Sequence, residues 1–302
     1  MSFAITNLLL LTLSTVLRWA YLVFEEQILK KIKNFRRIWI LQSGVAVSVV
    51  ANAYIFIFLV NRWVTAGYFP LSNLYESVLF LTWCLNTVQL ISELKTSSII
   101  IGSILTPIQL ALIGFSSFVL PQEMQKPASL VPALQSNWLM LHVSMMMLSY
   151  AILILGSLLS VLIVLLSKKT KLVLTNESTT SLNSTDSVSS KKSSSKEKLL
   201  FNLDIWSYRT IGLGHIALTL GILAGAVWAN ESWGSYWSWD PKETWSLITW
   251  LVFTAYLHAR LVNNWKGAKT AIIGSVGFVS IWISYLGVNF LANGLHSYGW
   301  VN

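Results

Sequence analysis

An all-α polytopic membrane protein, with about eight transmembrane helices and both termini on the exoplasmic side, is the fold class this sequence predicts. Three observations lead there. The 302 residues are 54% hydrophobic and only 11% charged, with a mean hydropathy of +0.62, whereas soluble domains carry about a quarter charged residues. The apolar residues gather in runs of roughly twenty, the length that crosses a bilayer as a helix. The connections between runs alternate between strongly basic and nearly free of cations.

The runs place spans at 3–24, 39–60, 76–93, 99–120, 138–166, 209–228, 244–263 and 269–290. Of the 21 Lys and Arg residues, 17 fall in segments 25–37, 94–98, 167–209 and 260–269, which share one face if the spans alternate. The opposite face holds Arg62, Lys126 and Lys242, and Arg18 lies inside the first span. By the positive-inside rule the basic face is cytoplasm-like. The net charge of +9 is therefore topological, and no nucleic-acid partner is expected. The first run lacks a basic n-region and a small-residue cleavage site, so it is expected to stay as a span.

Residues 1–166 thus carry spans one to five. Between 175 and 196, 13 of 22 residues are Ser or Thr and none is aromatic, so 167–205 is expected to be a disordered Ser/Lys-rich loop on the inner face. Residues 206–302 carry spans six to eight, with a tryptophan-rich loop at 228–245. The lone cysteine, Cys84, has no partner and no CxxC around it. That excludes a disulfide framework, a thiol oxidoreductase and a covalent haem carrier, and Cys84 reads as a small packing residue.

Six of the 15 tryptophans lie between Trp228 and Trp250. An aromatic belt at the interface accounts for two or three of them. The spacing of Trp233, Trp237 and Trp239 goes further, because a short helical or extended stretch presents such pairs on a common face. Gly234 lets the backbone approach closely. The loop therefore suits a large, flat, apolar ligand. Asp240-Pro241-Lys242-Glu243 has the pattern of a capping box opening span seven, so Asp240 is expected to orient the tryptophans rather than to do chemistry.

The histidines form the second constellation. His142, at the outer end of span five, and His296, after span eight, fall on the same face as the tryptophans. Neutral imidazole is a good axial ligand to haem iron, and two histidines beside an aromatic platform suit a bis-histidine haem. His258 lies about 21 Å along span seven at 1.5 Å per residue, buried near the inner face, and shares a helix face with Thr254 and Trp250. An ionisable residue there marks a functional site or a satisfied interhelical hydrogen bond. His215 sits at similar depth, where pairing with His258 and simple packing are both open.

The stretch Trp233-Gly234-x-x-Trp237-x-Trp239-Asp240 resembles the WGxxWxWD signature of the tryptophan-rich, WWD-domain haem-handling proteins. Further stretches resemble the CcsA family of system II cytochrome c biogenesis proteins, plastid type. They are Trp63 to Ser77, Leu141-His142-Val143, Leu218 to Ala229, and Asn293-Gly-Leu-His296-Ser-Tyr298. The resemblance implies that His142 and His296 ligate haem b over the tryptophan loop, and that His258 belongs to an inner haem site whose second histidine comes from a CcsB/ResB-type partner. In that family the position of His215 is not usually histidine. The implied function is to deliver haem across the membrane and present it to apocytochromes c, cytochrome f among them, as part of a holocytochrome c synthase (haem lyase) complex. The implied place is the thylakoid membrane with the loop in the lumen, or by the same physics a bacterial inner membrane. A haem transporter, or a scaffold without synthase activity, is the competing expectation. No residue reads as a dedicated general acid or base, and Arg62, beside Trp63, is the expected partner of a haem propionate.

Overall fold

Apolar runs in hydrocarbon leave the backbone no hydrogen-bonding partner but itself, and the helix is the only single-segment solution. A computed structural model of the chain describes residues 2–27, 34–96, 98–127, 135–177 and 187–291, and every regular element among them is helical. The helices are α1 (Ser2–Gln27), α2 (Asn34–Ala66), α3 (Leu74–Thr96), α4 (Ile99–Gly114), α5 (Gln122–Gln125), α6 (Asn137–Glu177), α7 (Ser187–Trp233), α8 (Pro241–Leu261), α9 (Ala268–Trp282) and α10 (Val288–Leu291). Short π-helical stretches, Phe115–Val119 and Ile283–Gly287, extend α4 and α9.

Seven of these helices are long and apolar enough to cross a membrane, and the chain is an all-α multi-span membrane protein. The remaining expected span, 244–263, coincides with α8, which is 21 residues long but carries Lys242, Glu243, His258 and Arg260 and is not among the seven. Of the expected inner-face loop 167–205, the backbone is helical up to Glu177 and again from Ser187, and 178–186 lie outside the described residues.

The chain divides into two compact units, Met1–Ala151 with Leu223–Gly234, and Ile152–Ile222 with Ser235–Asn302. In the first, α1 packs on α2 and α4, and α3 on α4. Arg18 is fully buried among them and forms an ion pair with Glu93. Its remaining donors go to Ser14 Oγ (3.2 Å), Ser48 Oγ (2.9 Å) and the Gly44 carbonyl (3.3 Å). Gly102 makes the pair possible, because any Cβ there would collide with both charged groups.

A second buried pair ties the other end of the unit. Arg62 Nε donates to Glu76 Oε1 at 2.5 Å, and its Nη1 to the Gln125 carbonyl at 2.6 Å. The same carboxylate accepts from Ser72 N and Ser72 Oγ, both at 2.7 Å, and from the Tyr68 hydroxyl at 3.3 Å. Asn73 caps α3 by accepting from Glu76 N (2.9 Å) and donates to the Met124 carbonyl (3.0 Å). One carboxylate thus fixes the whole α2–α3 connection.

In the second unit Ser207 Oγ meets Ser160 Oγ at 2.8 Å and the Gly156 carbonyl at 2.9 Å. Arg260 forms a forked pair with Asp204 (2.8 and 2.7 Å) and covers the Tyr208 ring. Gly277 leaves room for Phe253 where α8 meets α9.

Removing one member of a buried pair strands the other charge, at about 3–5 kcal/mol. Arg18→Met should therefore lower the melting temperature of the detergent-solubilised protein sharply. The double variant Arg18→Met, Glu93→Leu should recover much of the loss. Equal melting of wild type and Arg18→Met would show that the pair contributes nothing.

Candidate functional site

His142 lies in the second turn of α6. At the start of that helix Ser136 Oγ accepts from Trp138 N (3.2 Å) and donates to Glu231 Oε2 of α7 (2.5 Å). This brings the first turns of α6 against the last turns of α7. There Gly225 has no side chain, and a Cβ built on it would stand 2.5 Å from both Cε1 and Nδ1 of His142. One turn on, Trp228 stacks on the imidazole with ring centroids 6.1 Å apart and planes 13° apart. Trp228 is 3% exposed and meets Trp233 edge-on at 4.7 Å. The imidazole is thus held in one orientation by a missing side chain on α7 and a stacked indole. Gly234 ends the helix at φ +75°, its N–H bonding the Asn230 carbonyl at 2.9 Å, as a helix-terminating glycine does.

The rest of the tryptophan loop belongs to the second unit. Trp239 is in the left-handed region at φ +60° and is 69% exposed. A bulky residue there is strained by roughly 1–3 kcal/mol, and its exposed indole recovers none of that by burial. Trp237 meets it edge-on at 5.8 Å, and Trp237 Nε1 is buried with no acceptor among the described residues.

The expected capping box is present. Asp240 Oδ1 accepts from Lys242 N (2.9 Å), while Glu243 Oε2 accepts from Asp240 N (3.2 Å) and Ser238 N (2.8 Å). Asp240 thus orients the loop. Outside the 244–263 span, burial lowers the Lys242 ammonium to about 8, against an opposing pull from Asp240.

His258 stands exposed on α8, one turn beyond Thr254. His215 Nε2 lies 2.9 Å from Thr254 Oγ1 and its ring packs on Trp250 (5.2 Å). Trp250 Nε1 donates to Thr219 Oγ1 at 2.9 Å. The same Thr254 hydroxyl also lies 2.8 Å from the Trp250 carbonyl. His215 is therefore tied to the face that also bears His258. His296 lies outside the described residues. Cys84 is free and buried, as a packing residue should be.

Arg62, expected at a propionate, is buried in the first unit with Nε on Glu76 and Nη1 on the Gln125 carbonyl, while its Nη2 has no partner among the described residues. Sequence reasoning also passed over Gly225. Its one signal there was a run of small residues, Ala224-Gly225-Ala226, of the kind that lets helices approach closely in membranes.

Residues 71–296 match the family model of the cytochrome C assembly protein, and the chain belongs to that family. The cytochrome c biogenesis protein CcsA of Trieres chinensis is 56% identical over 276 residues, 86% of this chain and 88% of the relative. That of Guillardia theta is 52% identical over 294 residues, 97% and 94% of the two chains, and that of Cyanophora paradoxa 48% over 290 residues, 88% and 90%. Among solved structures, Cytochrome c Heme Lyase CcmF superposes with a TM-score of 0.61 at 18% identity over 97% of this chain. The chain spans about half (48%) of that protein, and the likeness is one of fold.

The displaced titration of Lys242 is directly measurable. The amine, reductively methylated with labelled formaldehyde, should titrate with a midpoint near 8, and Asp240→Asn should move the midpoint lower. Because the unfolded chain binds this proton up to the ordinary lysine range, stability at this position rises with pH between about 8 and 10.5. A midpoint near 10.5 would show a solvated ammonium.

Proposed function

We propose that the chain acts in cytochrome c biogenesis at the haem attachment step. It binds haem b as a substrate, delivers it across the membrane and presents it at the outer face to apocytochromes c, cytochrome f among them. It does so with a membrane partner of the CcsB/ResB type. The observation that carries this reading is His142, seated against Gly225 and stacked on Trp228. An imidazole pre-oriented by its surroundings is the supported ligand an iron centre requires.

The residues fit such a substrate. Trp239 offers an open aromatic face, and Trp237 Nε1–H, without an acceptor among the described residues, would find one in a haem carboxylate. His296 is the second iron ligand in this reading. His258 is exposed on α8, and in this reading the partner's helix with an inner haem covers it. The close relatives are CcsA proteins of plastid-bearing organisms, which supports the thylakoid membrane with the tryptophan loop in the lumen.

Each Cys thiol of a reduced CxxCH segment adds across one haem vinyl group. Sulfur bonds to one carbon and hydrogen to the other, and nothing leaves. The chain's part is to hold the ring by its iron and faces with the vinyl edge open, so that positioning supplies most of the acceleration.

His142→Ala and Gly225→Ala should both lower c-type cytochrome accumulation, the second because a methyl group displaces the imidazole. Added imidazole should partly restore His142→Ala but not Gly225→Ala, where the displaced ring still blocks the place. Normal haem-stained cytochrome in both variants would sink the assignment of His142. For the inner site, His258→Ala should leave the outer site short of haem, with partial recovery in imidazole. Full haem loading in that variant would remove His258 from the path.

A further inference from the structure

The first unit contains a cavity of about 760 Å³ at the mouth of the α2–α3 connection and the start of α6. Its volume is that of a cleft built for a ligand. None of the histidines or loop tryptophans discussed above is among the described residues lining it. One wall is aromatic: Trp63, Tyr68 and Phe69, with Trp63 edge-on to Phe69 at 4.9 Å. The other is the first turn of α6, with Leu139 and Met140, flanked by Gln135 and Asn137.

Two properties define the occupant. The cavity is preformed, because the Glu76 carboxylate holds Ser72 and Tyr68 while Arg62 ties the unit to Gln125. Among the described residues its lining is also uncharged, the Glu231 carboxylate beside it accepting from Ser136 Oγ. A haem brings two carboxylates and finds no cation among the described lining residues. Side-chain amides, a phenol and hydroxyls both donate and accept, which matches main-chain N–H and C=O groups. Half-open apolar groups, Trp63 at 45% and Met140 at 38% exposure, match the side chains of a polypeptide, and methionine adapts to varied ones.

We infer that this cavity receives an extended segment of the apocytochrome polypeptide and so aligns its thiols. This rests on the haem attachment reading above. Met140 precedes His142 by two residues, about 3 Å along the helix axis. A segment lying on Leu139 and Met140 is therefore delivered to the turn that bears the iron ligand. Peptide and haem would then approach the same end of α6 from separate seats.

The test uses the full-length protein and a short, labelled synthetic peptide centred on a reduced Cys-x-x-Cys-His motif. With p-benzoylphenylalanine in place of Leu139, irradiation should cross-link the peptide, and unlabelled peptide should compete. The same photoprobe at Leu9, on the exposed face of α1, should not cross-link. Ala66→Phe, which fills the cavity, should weaken peptide binding about tenfold, near 1.4 kcal/mol, with haem content unchanged. If that variant misfolds, Gln135→Leu with Asn137→Leu should weaken the peptide without touching haem.

Equal cross-linking at Leu9 and Leu139 would overturn the inference. So would loss of haem in parallel with peptide, since the cavity would then seat haem. Peptide binding by a protein that never holds haem would sustain the cavity assignment while refuting the haem reading. Haem binding without peptide binding would do the reverse.

Discussion

Hydrocarbon offers a buried charge no partner, so the buried charged groups of this chain are met from within, and the fold is organised around that constraint. Each unit has its own solution. Arg18, buried in the first span, is enclosed by Glu93, Ser14, Ser48 and the Gly44 carbonyl, and is admitted only because Gly102 lacks a side chain. Arg62 and Glu76 fix the α2–α3 connection and hence the walls of the cavity beside α6. In the second unit Asp204 receives both Arg260 and the N–H of Gly267, securing the turn between α8 and α9. Such pairs add little net stability over apolar packing, but breaking them is expensive. Their role is to fix which helix faces which.

Within the tryptophan loop two residues go against local rules, alongside other buried polar atoms elsewhere that have no partner among the described residues. Trp239 adopts a backbone conformation that disfavours bulky residues and still leaves its indole open. Trp237 keeps a buried N–H without an acceptor among the described residues. Local rules broken without internal compensation are expected at functional sites. His142 is the complementary case. It is over-determined, with Gly225 giving it space and Trp228 fixing its plane.

Much of this was legible in the sequence where the determinants are local. Spans are runs of one residue class, and the capping box lies within Asp240 to Glu243, so both read directly. Span 244–263 rests on its run of apolar residues, and the polar and charged residues of α8 keep it out of the seven helices that qualify by length and composition. What did not show were contacts between residues distant in the chain. Arg62 displayed a charge but not its partner across the turn, so it read as free for a ligand. Gly225 looked like one small residue among several, because its meaning depends on His142 arriving from another helix. His215 stood open between pairing and packing, and the structure ties it to the face of His258 through Thr254.

The central claim is that a histidine-ligated haem is held at the end of α6. It is tested most directly by the visible absorption spectrum of the detergent-purified protein with its membrane partner, before and after dithionite. Wild type is to be compared with the double variant His142→Ala, His296→Ala. The account predicts a Soret band with sharp reduced α and β bands in the wild type, weakened in the double variant. Absence of haem from every preparation, or an identical spectrum in the double variant, would contradict it.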